Sequence, residues 1–319
     1  MSDFTEALRA GDLARLRRVP KGDLHNHGTL GGALDDVRRL TGRDLRRPPA
    51  TLDGIHGLMA WTRQNVHPIY ETLEGFEALV AAAFLQARRD GVRRLEMSIE
   101  TSLLPRYPGG AGALTDAVRR KHREHAPEVE FLPELGLKRQ LDPDLLLRYV
   151  EQFLETGYYR AVDLYGDELS RPPRAFQPIF RLAASQGLSL KAHVGEIGTA
   201  ADVLETVEAL ELDAVQHGVA AARSPEVMRA LAKLGIPLHV CPTSNVCLGV
   251  ARSHGEHPLR ELLDAGVAVT VGTDDVLLFG RGVSDEYLAL FQTGRFAAEE
   301  LDAVRQRSLG VELPSAQTR

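Results

Sequence analysis

Residues Leu188–Glu196 read Leu-Ser-Leu-Lys-Ala-His-Val-Gly-Glu and give the strongest indication of the architecture. The run follows Gly187 and has the apolar character of a short buried strand. This strand ends on His193, and a carboxylate, Glu196, follows three residues later. Because α/β barrels carry their chemistry at the carboxyl ends of their strands, the ending predicts a functional position. A lone histidine is more often packed or exposed than metal-bound, so the other strand ends must be considered.

The strand that ends at His193 belongs to a series in which predicted strands and helices alternate. Strands are predicted at 92–100, 129–137, 161–165, 188–193, 215–218, 236–241 and 268–272, and a helix precedes each of them. A short strand that leads to His25 brings the number to eight. Alternating strands and helices indicate a parallel sheet, and eight units indicate a closed (β/α)8 barrel, the TIM-barrel class of α/β fold.

One segment interrupts this alternation. Residues 28–75 contain a glycine-rich stretch, mixed helical patterns and Pro48-Pro49, and they are too long for an ordinary strand-to-helix connection. We interpret them as a helical insertion after the first strand, a lid and substrate wall over the barrel mouth. The alternative is a structural subdomain on the side of the barrel. No second core or linker is visible, so residues 1–319 are predicted to form one domain, in which 284–319 provide C-terminal helices and a frayed tail at 314–319.

The composition excludes several classes of protein. Hydrophobic residues make up 44% of the 319 and charged residues 26%, which is ordinary for a soluble globular enzyme. The net charge of −6 comes without a basic stripe, so we expect no nucleic-acid partner. No apolar run approaches the about 20 residues that cross a bilayer, and no signal-peptide pattern is present. With only two cysteines, the sequence predicts a cytoplasmic protein without a membrane partner, and it does not indicate an oligomeric state.

Several predicted strands end on side chains that bind metals or move protons. All strand ends of a barrel meet at one mouth, which would receive His25, His27, Gly166, His193, Glu196, His217, Asp274 and Asp275. Three histidines and one aspartate form a nitrogen-and-oxygen set that suits zinc, and the other acidic and imidazole groups could transfer protons beside it. Each residue alone has an ordinary structural explanation, such as a helix cap or a turn. Their occurrence at the ends of the first, fifth, sixth and eighth strands is not expected by chance.

The motifs around these residues resemble those of the adenosine deaminase family of the amidohydrolase superfamily. The matching motifs span nearly the whole chain: Pro20-Lys21-Gly22-Asp23-Leu24-His25-Asn26-His27, Asp163-Leu164-Tyr165-Gly166-Asp167-Glu168, Ala192-His193-Val194-Gly195-Glu196, His217-Gly218, Cys241-Pro242-Thr243-Ser244-Asn245 and Gly272-Thr273-Asp274-Asp275. The His-x-His pattern alone is weak, but the complete set is highly specific.

The resemblance implies a role for each residue of the site. One zinc ion per chain would be held by His25, His27, His193 and Asp274. Glu196 would donate a proton to the purine ring nitrogen, His217 and Asp275 would orient and deprotonate the attacking water, and the backbone N–H of Gly166 would bind the purine. The implied activity is hydrolytic deamination of adenosine or a related 6-aminopurine by zinc-bound hydroxide, which exists near neutral pH because zinc lowers the pKa of its water to about 7. A carboxyl group in a desolvated pocket has the raised pKa that a proton donor needs.

The sequence also indicates how many metal ions to expect. Two-metal amidohydrolases typically carry a bridging lysine on the fourth strand, but here that strand ends Leu164-Tyr165-Gly166-Asp167. One metal is therefore predicted. The His-x-Glu and Pro-Cys-x-x-Cys signature of cytidine-type deaminases is absent as well, since Cys241 precedes its proline.

Three departures from the family pattern concern the substrate pocket. The family usually runs Leu-Asp-Gly after the second histidine, and that Asp helps to bind ribose, whereas this chain runs Gly-Thr-Leu-Gly-Gly over 28–32. Gln216 and Val276 replace a common glycine and proline. We assign substrate contacts to Thr29, Gly166 and Asp275, and we predict slow turnover of adenosine and a better substrate with a modified 5′ end or no sugar. The alternatives are hydrolysis of another cyclic amine or amidine and a catalytically silent barrel that acts as a binding protein.

Overall fold

The computed structural model describes residues 2–311, which contain one eight-stranded parallel sheet in the order β1 to β8. The strands are β1 (Lys21–Asp23), β2 (Val92–Glu100), β3 (Glu130–Lys138), β4 (Ala161–Tyr165), β5 (Ser189–Val194), β6 (Ala214–His217), β7 (Leu238–Val240) and β8 (Val269–Val271). Beyond the ends of β1 and β8, a parallel bridge between Asn26 and Asp274 joins the first and last strands. The predicted (β/α)8 barrel is confirmed.

Helices fill the connections between the strands. They are α1 (Asp3–Ala10), α2 (Leu13–Leu16), α3 (Leu34–Thr41), α4 (Gly54–Asn65), α5 (His67–Tyr70), α6 (Leu73–Arg89), α7 (Gly110–His125), α8 (Pro143–Leu154), α9 (Gln177–Ser185), α10 (Ala200–Leu210), α11 (Pro225–Leu234), α12 (Pro242–Cys247), α13 (Leu259–Asp264), α14 (Val276–Phe279), α15 (Val283–Gln292) and α16 (Ala298–Ser308). Short 3₁₀ helices span Thr101–Arg106, Pro173–Phe176, Val219–Arg223 and His254–Glu256.

Local sequence signals explain where many of these helices begin and end. Thr199 and Asp202 form a capping box at the start of α10. Asp142 caps α8 at Leu145 N, and Pro143 occupies the first turn, where its missing N–H costs nothing. Gly235 ends α11 with a φ of 71°, a left-handed conformation that glycine adopts without strain.

The barrel has an apolar outside and a charged inside. In β2 the side chains of Leu95, Met97 and Ile99 belong to the hydrophobic core, and the polar residues alternate with them. Lys191 of β5 contacts Glu96 of β2, and these strands are not neighbours in the sheet, so the contact runs across the lumen. These charged side chains therefore lie inside the barrel.

The structure defines three segments in more detail than the sequence does. Residues 3–16 form two helices, α1 and α2, and Gly11 separates them with a left-handed φ of 64°. The first strand ends at Asp23, before His25, although a bridge from His27 to Ser98 continues its extended path. The C-terminal helical region is two helices, α15 and α16, separated by a turn at Gly294. The predicted tail at 314–319 lies outside the described residues.

Membrane insertion finds no support in the helices of this structure. Among the described residues, none of the helices combines the length and the apolar character that crossing a membrane requires. Cys241 and Cys247 are both free thiols.

Candidate active site and metal centre

Four of the predicted side chains meet where the ends of β1, β5 and β8 come together. His27 Nε2 lies 3.2 Å from Asp274 Oδ1, and His25 Nε2 lies 3.7 Å from the same oxygen. Ligand atoms of His25, His27 and His193 all lie within 4.8 Å of one another. The structure therefore brings together the four side chains in which the sequence analysis places the metal.

The state of His25 tests whether this cluster fits a metal ion. Its Nδ1 lies 3.0 Å from the backbone carbonyl oxygen of His239, which can only accept, so Nδ1 carries the proton. Its Nε2 is then a lone-pair donor, and this buried atom has no hydrogen-bond partner in the part of the chain that the structure describes. Burial lowers the pKa of His25 to about 3, which keeps the ring neutral. A neutral imidazole whose free nitrogen faces other ligand atoms is what zinc coordination requires.

The electrostatics at His27 favour a positive charge in the same place. Burial alone lowers the pKa of His27, but its hydrogen bond to Asp274 and the charge of Asp275 raise the pKa to about 10. The two carboxylates thus stabilise a cation beside Nε2. A metal ion would supply that charge in place of the proton.

A second layer of contacts fixes the orientation of these side chains. Ser244 donates a hydrogen bond of 2.7 Å from Oγ to Asp274 Oδ2. His193 Nε2 lies 3.3 Å from Asp163 Oδ2, and Ser98 donates to the same carboxylate. Such outer partners orient metal-binding side chains and adjust their basicity. Asp163 belongs to the motif over 163–168, and no role is predicted for it from the sequence.

Three titratable groups with altered pKa values stand beside the cluster. Glu196 Oε2 lies 3.5 Å from His217 Nε2, and burial together with the charge of Asp274 raises the pKa of Glu196 well above its usual range. Burial and the nearby Asp274 also raise the pKa of Asp275, to about 8. Burial lowers the pKa of His217 well below its usual value, and the nearby His25 lowers this pKa further. The site thus contains carboxyl groups that can donate a proton near neutral pH and, beside them, a neutral imidazole.

Asn245 connects two of these groups. The backbone N–H of Leu259 donates to His257 Nδ1 at 3.1 Å, so the proton of this neutral imidazole lies on Nε2, which donates to Asn245 Oδ1 at 3.1 Å. The amide nitrogen of Asn245 therefore faces Glu196 Oε1 at 3.3 Å and His217 Nδ1 at 3.4 Å. Because His217 Nδ1 accepts this bond, its proton lies on Nε2, on the side of Glu196. Asn245 belongs to the motif over 241–245, but its role could not be predicted from the sequence because its partners are distant along the chain.

A cavity of about 290 Å³ opens beside the cluster. Thr29 and Gly166, two predicted substrate contacts, line it. Gly166 has a φ of 101°, and a Cβ at this position would lie 2.5 Å from Gln140 Oε1, so only glycine fits. One wall consists of residues from the 28–75 insertion: Leu30, Ile55, Leu58, Met59, Thr62, Arg63, Val66, His67 and Tyr70. The insertion therefore contributes to the cavity, while its movement as a lid stays a prediction.

Comparisons with known proteins agree with this geometry. The adenosine deaminase family model matches residues 63–317, which include every predicted site residue except His25, His27 and Thr29. A protein of Treponema pallidum provisionally assigned as an adenosine/adenine deaminase is 31% identical over 91% of this chain and 98% of its own length. The aminodeoxyfutalosine deaminase of Acidothermus cellulolyticus is also 31% identical, over 89% of this chain and 85% of its own.

Solved structures show the same fold. Adenine deaminase from Arthrobacter aurescens superposes with a TM-score of 0.80 at 24% identity, covering 94% of each chain. An amidohydrolase from Burkholderia ambifaria with bound Zn also gives 0.80, at 21% identity over 96% of this chain and 89% of its own. From the family match, the relatives and the shared barrel it follows that this chain belongs to the adenosine deaminase family and is a hydrolase of the deaminase type.

Proposed function

We propose that the protein is a zinc-dependent hydrolytic deaminase that removes the amino group of a 6-aminopurine as ammonia. One observation carries the proposal: Nε2 of His25, which has no hydrogen-bond partner among the described residues, lies beside Asp274 and two further imidazoles, and Glu196 with a raised pKa lines the cavity next to them. Ligands for a metal and an acid for a ring nitrogen therefore lie in one cavity.

The metal proposal rests on the chemistry of the side chains. The ion would be held by His25, His27, His193 and Asp274, a set of three nitrogens and one oxygen that suits zinc. Bound there, zinc would act as a Lewis acid that makes a water molecule nucleophilic at neutral pH. We propose one ion per chain, because β4 ends at Tyr165 without a lysine that could bridge two metals.

The remaining residues handle the protons. Glu196, kept protonated by burial and by the charge of Asp274, donates a proton to the ring nitrogen beside the amino-bearing carbon. Protonation makes that carbon more electrophilic. His217, whose Nε2 carries the ring proton, orients the attacking water, and Asp275 accepts the proton of that water. The backbone N–H of Gly166 would bind the purine ring. The ring can approach this N–H because glycine has no side chain.

The loop after His27 supports a substrate other than adenosine. Gly31 and Gly32 pack tightly, since a Cβ on Gly31 would lie 2.0 Å from Asn26 Oδ1 and one on Gly32 would lie 2.4 Å from Ala82 Cβ. Thr29 of this loop lines the cavity, and the loop over 28–32 carries no carboxylate. A site that lacks a hydrogen-bond partner for a substrate hydroxyl loses the discrimination that the pairing gives.

Metal analysis combined with ammonia release tests the proposal. The purified protein should contain about one zinc per chain and release ammonia from at least one compound in a panel of adenine, adenosine and 5′-modified adenosines. Pterins and cyclic amidines complete the panel, because turnover of these compounds alone would move the activity outside the purines. A metal-free protein with full activity would contradict the zinc proposal.

A further inference from the structure

The cavity has a second end, built by different parts of the chain. Glu196 follows β5, and His217 is the last residue of β6. These two residues mark the reacting end of the cavity. In the circular strand order, β2 and β3 stand opposite β6 and β7. The last residues of β2 and β3 are Glu100 and Lys138, and both line the cavity together with Arg63 and His67 of the insertion. We call Arg63, His67, Glu100 and Lys138 the far end.

We infer that the substrate carries an anionic group, a carboxylate or a phosphate, which lies against Arg63, His67 and Lys138 at the far end while the aminopurine lies at the reacting end. This inference rests on the proposed deaminase function and names the substrate class more narrowly. Its basis is the placement and pairing of the charges.

The charges at the far end do not cancel. Lys138 Nζ lies 2.5 Å from Glu100 Oε1, and Ser102 donates to the same oxygen, so the carboxylate is already engaged by two donors. Arg63 has neither a hydrogen bond nor an ion pair among the described residues, although its side chain lines the cavity. The far end therefore contains two permanent cations and one carboxylate, so its net charge is positive.

His67 and Tyr70 add hydrogen-bonding groups to the same end. Burial lowers the pKa of His67, and the positive charges of Lys138 and Arg63 lower this pKa further. The negative charge of Glu100 acts in the opposite direction. His67, Lys138 and Arg63 all line the same cavity. Its imidazole is tilted against Tyr70, with ring centroids 4.9 Å apart. A neutral imidazole offers an N–H donor without a competing negative charge.

An anion is the ligand that satisfies these groups together. Guanidinium groups bind carboxylate and phosphate through paired, charge-assisted hydrogen bonds, and such bonds are stronger than those to a neutral hydroxyl. A plain ribose hydroxyl would leave the positive charge of Arg63 unmatched. Leu58 and Met59 add apolar lining to the cavity, and they lie on α4, the helix that also carries Arg63.

Matched substrates that differ only in charge test the inference. The charged members are adenosine 5′-carboxylate and adenosine 5′-monophosphate, and the neutral references are the 5′-carboxamide of adenosine and adenosine itself. We expect kcat/KM for at least one anion to exceed that for its neutral reference by about tenfold or more, the size of one charge-assisted hydrogen bond. The ratio should fall as salt is added, since Arg63 is exposed at the cavity edge. Comparison of the two anions distinguishes carboxylate from phosphate.

Arg63→Gln should lower kcat/KM for the anion much more than for its neutral reference, so that the preference is lost. Arg43→Gln is the matched control, because Arg43 is an exposed arginine of the same insertion and does not line the cavity. Equal kcat/KM values for anion and neutral reference, or an equal loss on both with Arg63→Gln, would overturn the inference.

A binding measurement separates this inference from the proposed function. Dissociation constants of the same pairs are measured by calorimetry on the metal-loaded Glu196→Gln protein, whose acid is removed. A tenfold preference for an anion supports the inference even if no compound is deaminated, whereas equal binding overturns it. Ammonia release by the unaltered protein is judged independently, so either proposal can fail alone.

Discussion

The two ends of the cavity differ in burial and in the part of the chain that forms them. At the reacting end, His25, His193 and His217 are buried, come from strand ends and contact neighbouring protein groups. At the far end, Arg63 is exposed, His67 is half-buried, and both come from the inserted segment. The barrel therefore orders the reacting end before any ligand arrives. At the far end, Arg63 has no hydrogen-bond or ion-pair partner within the described part of the chain. We therefore expect substitutions at the reacting end to change the rate and substitutions at the far end to change the choice of substrate.

The largest effect is expected for His193→Ala. The substitution removes one nitrogen from the proposed ligand set, so the protein should lose zinc and its activity should fall to the background rate. Metal content and ammonia release are measured on the same preparation. A zinc-free variant that kept its activity would break the link between the reacting end and the metal.

Glu196→Gln should have the next largest effect. The amide cannot donate the proton that the ring nitrogen needs, so kcat should fall about 10²–10⁴-fold, as is typical for loss of a general acid. Zinc content should stay at the level of the unaltered protein, since Glu196 is outside the proposed ligand set. Turnover at the original rate would show that the acid is another group.

Asp163→Asn tests the side chains that contact the proposed metal ligands from behind. The amide keeps the size of the side chain but loses the charge that faces His193 Nε2 at 3.3 Å. We expect zinc affinity to fall about 10–100-fold, the usual cost of losing an outer partner. Competition with a chelator measures the affinity, and Asp167→Asn, which changes an acid on the adjacent loop with no contact to His193, serves as the control. An affinity identical to that of the unaltered protein would make Asp163 a structural residue only.

The smallest expected effect concerns the sugar. Because the loop after His27 offers no carboxylate, kcat/KM for adenosine should be below that for adenine or a 5′-modified adenosine. Steady-state measurements on the three compounds decide the order. If adenosine reached about 10⁶ M⁻¹s⁻¹ or more, in the upper part of the usual enzyme range, and led the others, the importance given to residues 28–32 would be wrong.

The parts that could be predicted from the sequence are those with local signals. His193 and Glu196 follow an apolar run, and His25-x-His27 is a local pattern, so position along a strand was enough to place them at the mouth. Asn245 could not be assigned in this way, because its role depends on Glu196, His217 and His257. These partners are 49, 28 and 12 residues away along the chain, and only the closed barrel brings them together.

The far end was missed for a related reason. Lys138 and Arg63 are ordinary cations in the sequence, one at the end of β3 and one on α4. Nothing local shows that both line the same cavity. The insertion was recognised by its length, but length does not indicate which side chains face inward. Whether the segment moves therefore stays a prediction, even though its contribution to the cavity wall is visible.

The bridge between Asn26 and Asp274 has a consequence for the maturation of the protein. It joins the first strand to the last, and Asp274 N also donates a hydrogen bond of 2.8 Å to His25 O. His25, His27 and Asp274 thus meet only after every intervening segment of the chain has been made and folded. A nascent chain that stops before β8 has no means of assembling the complete ligand set. Deaminase activity would then report that the barrel is closed, and a partly folded chain would not be able to start the reaction.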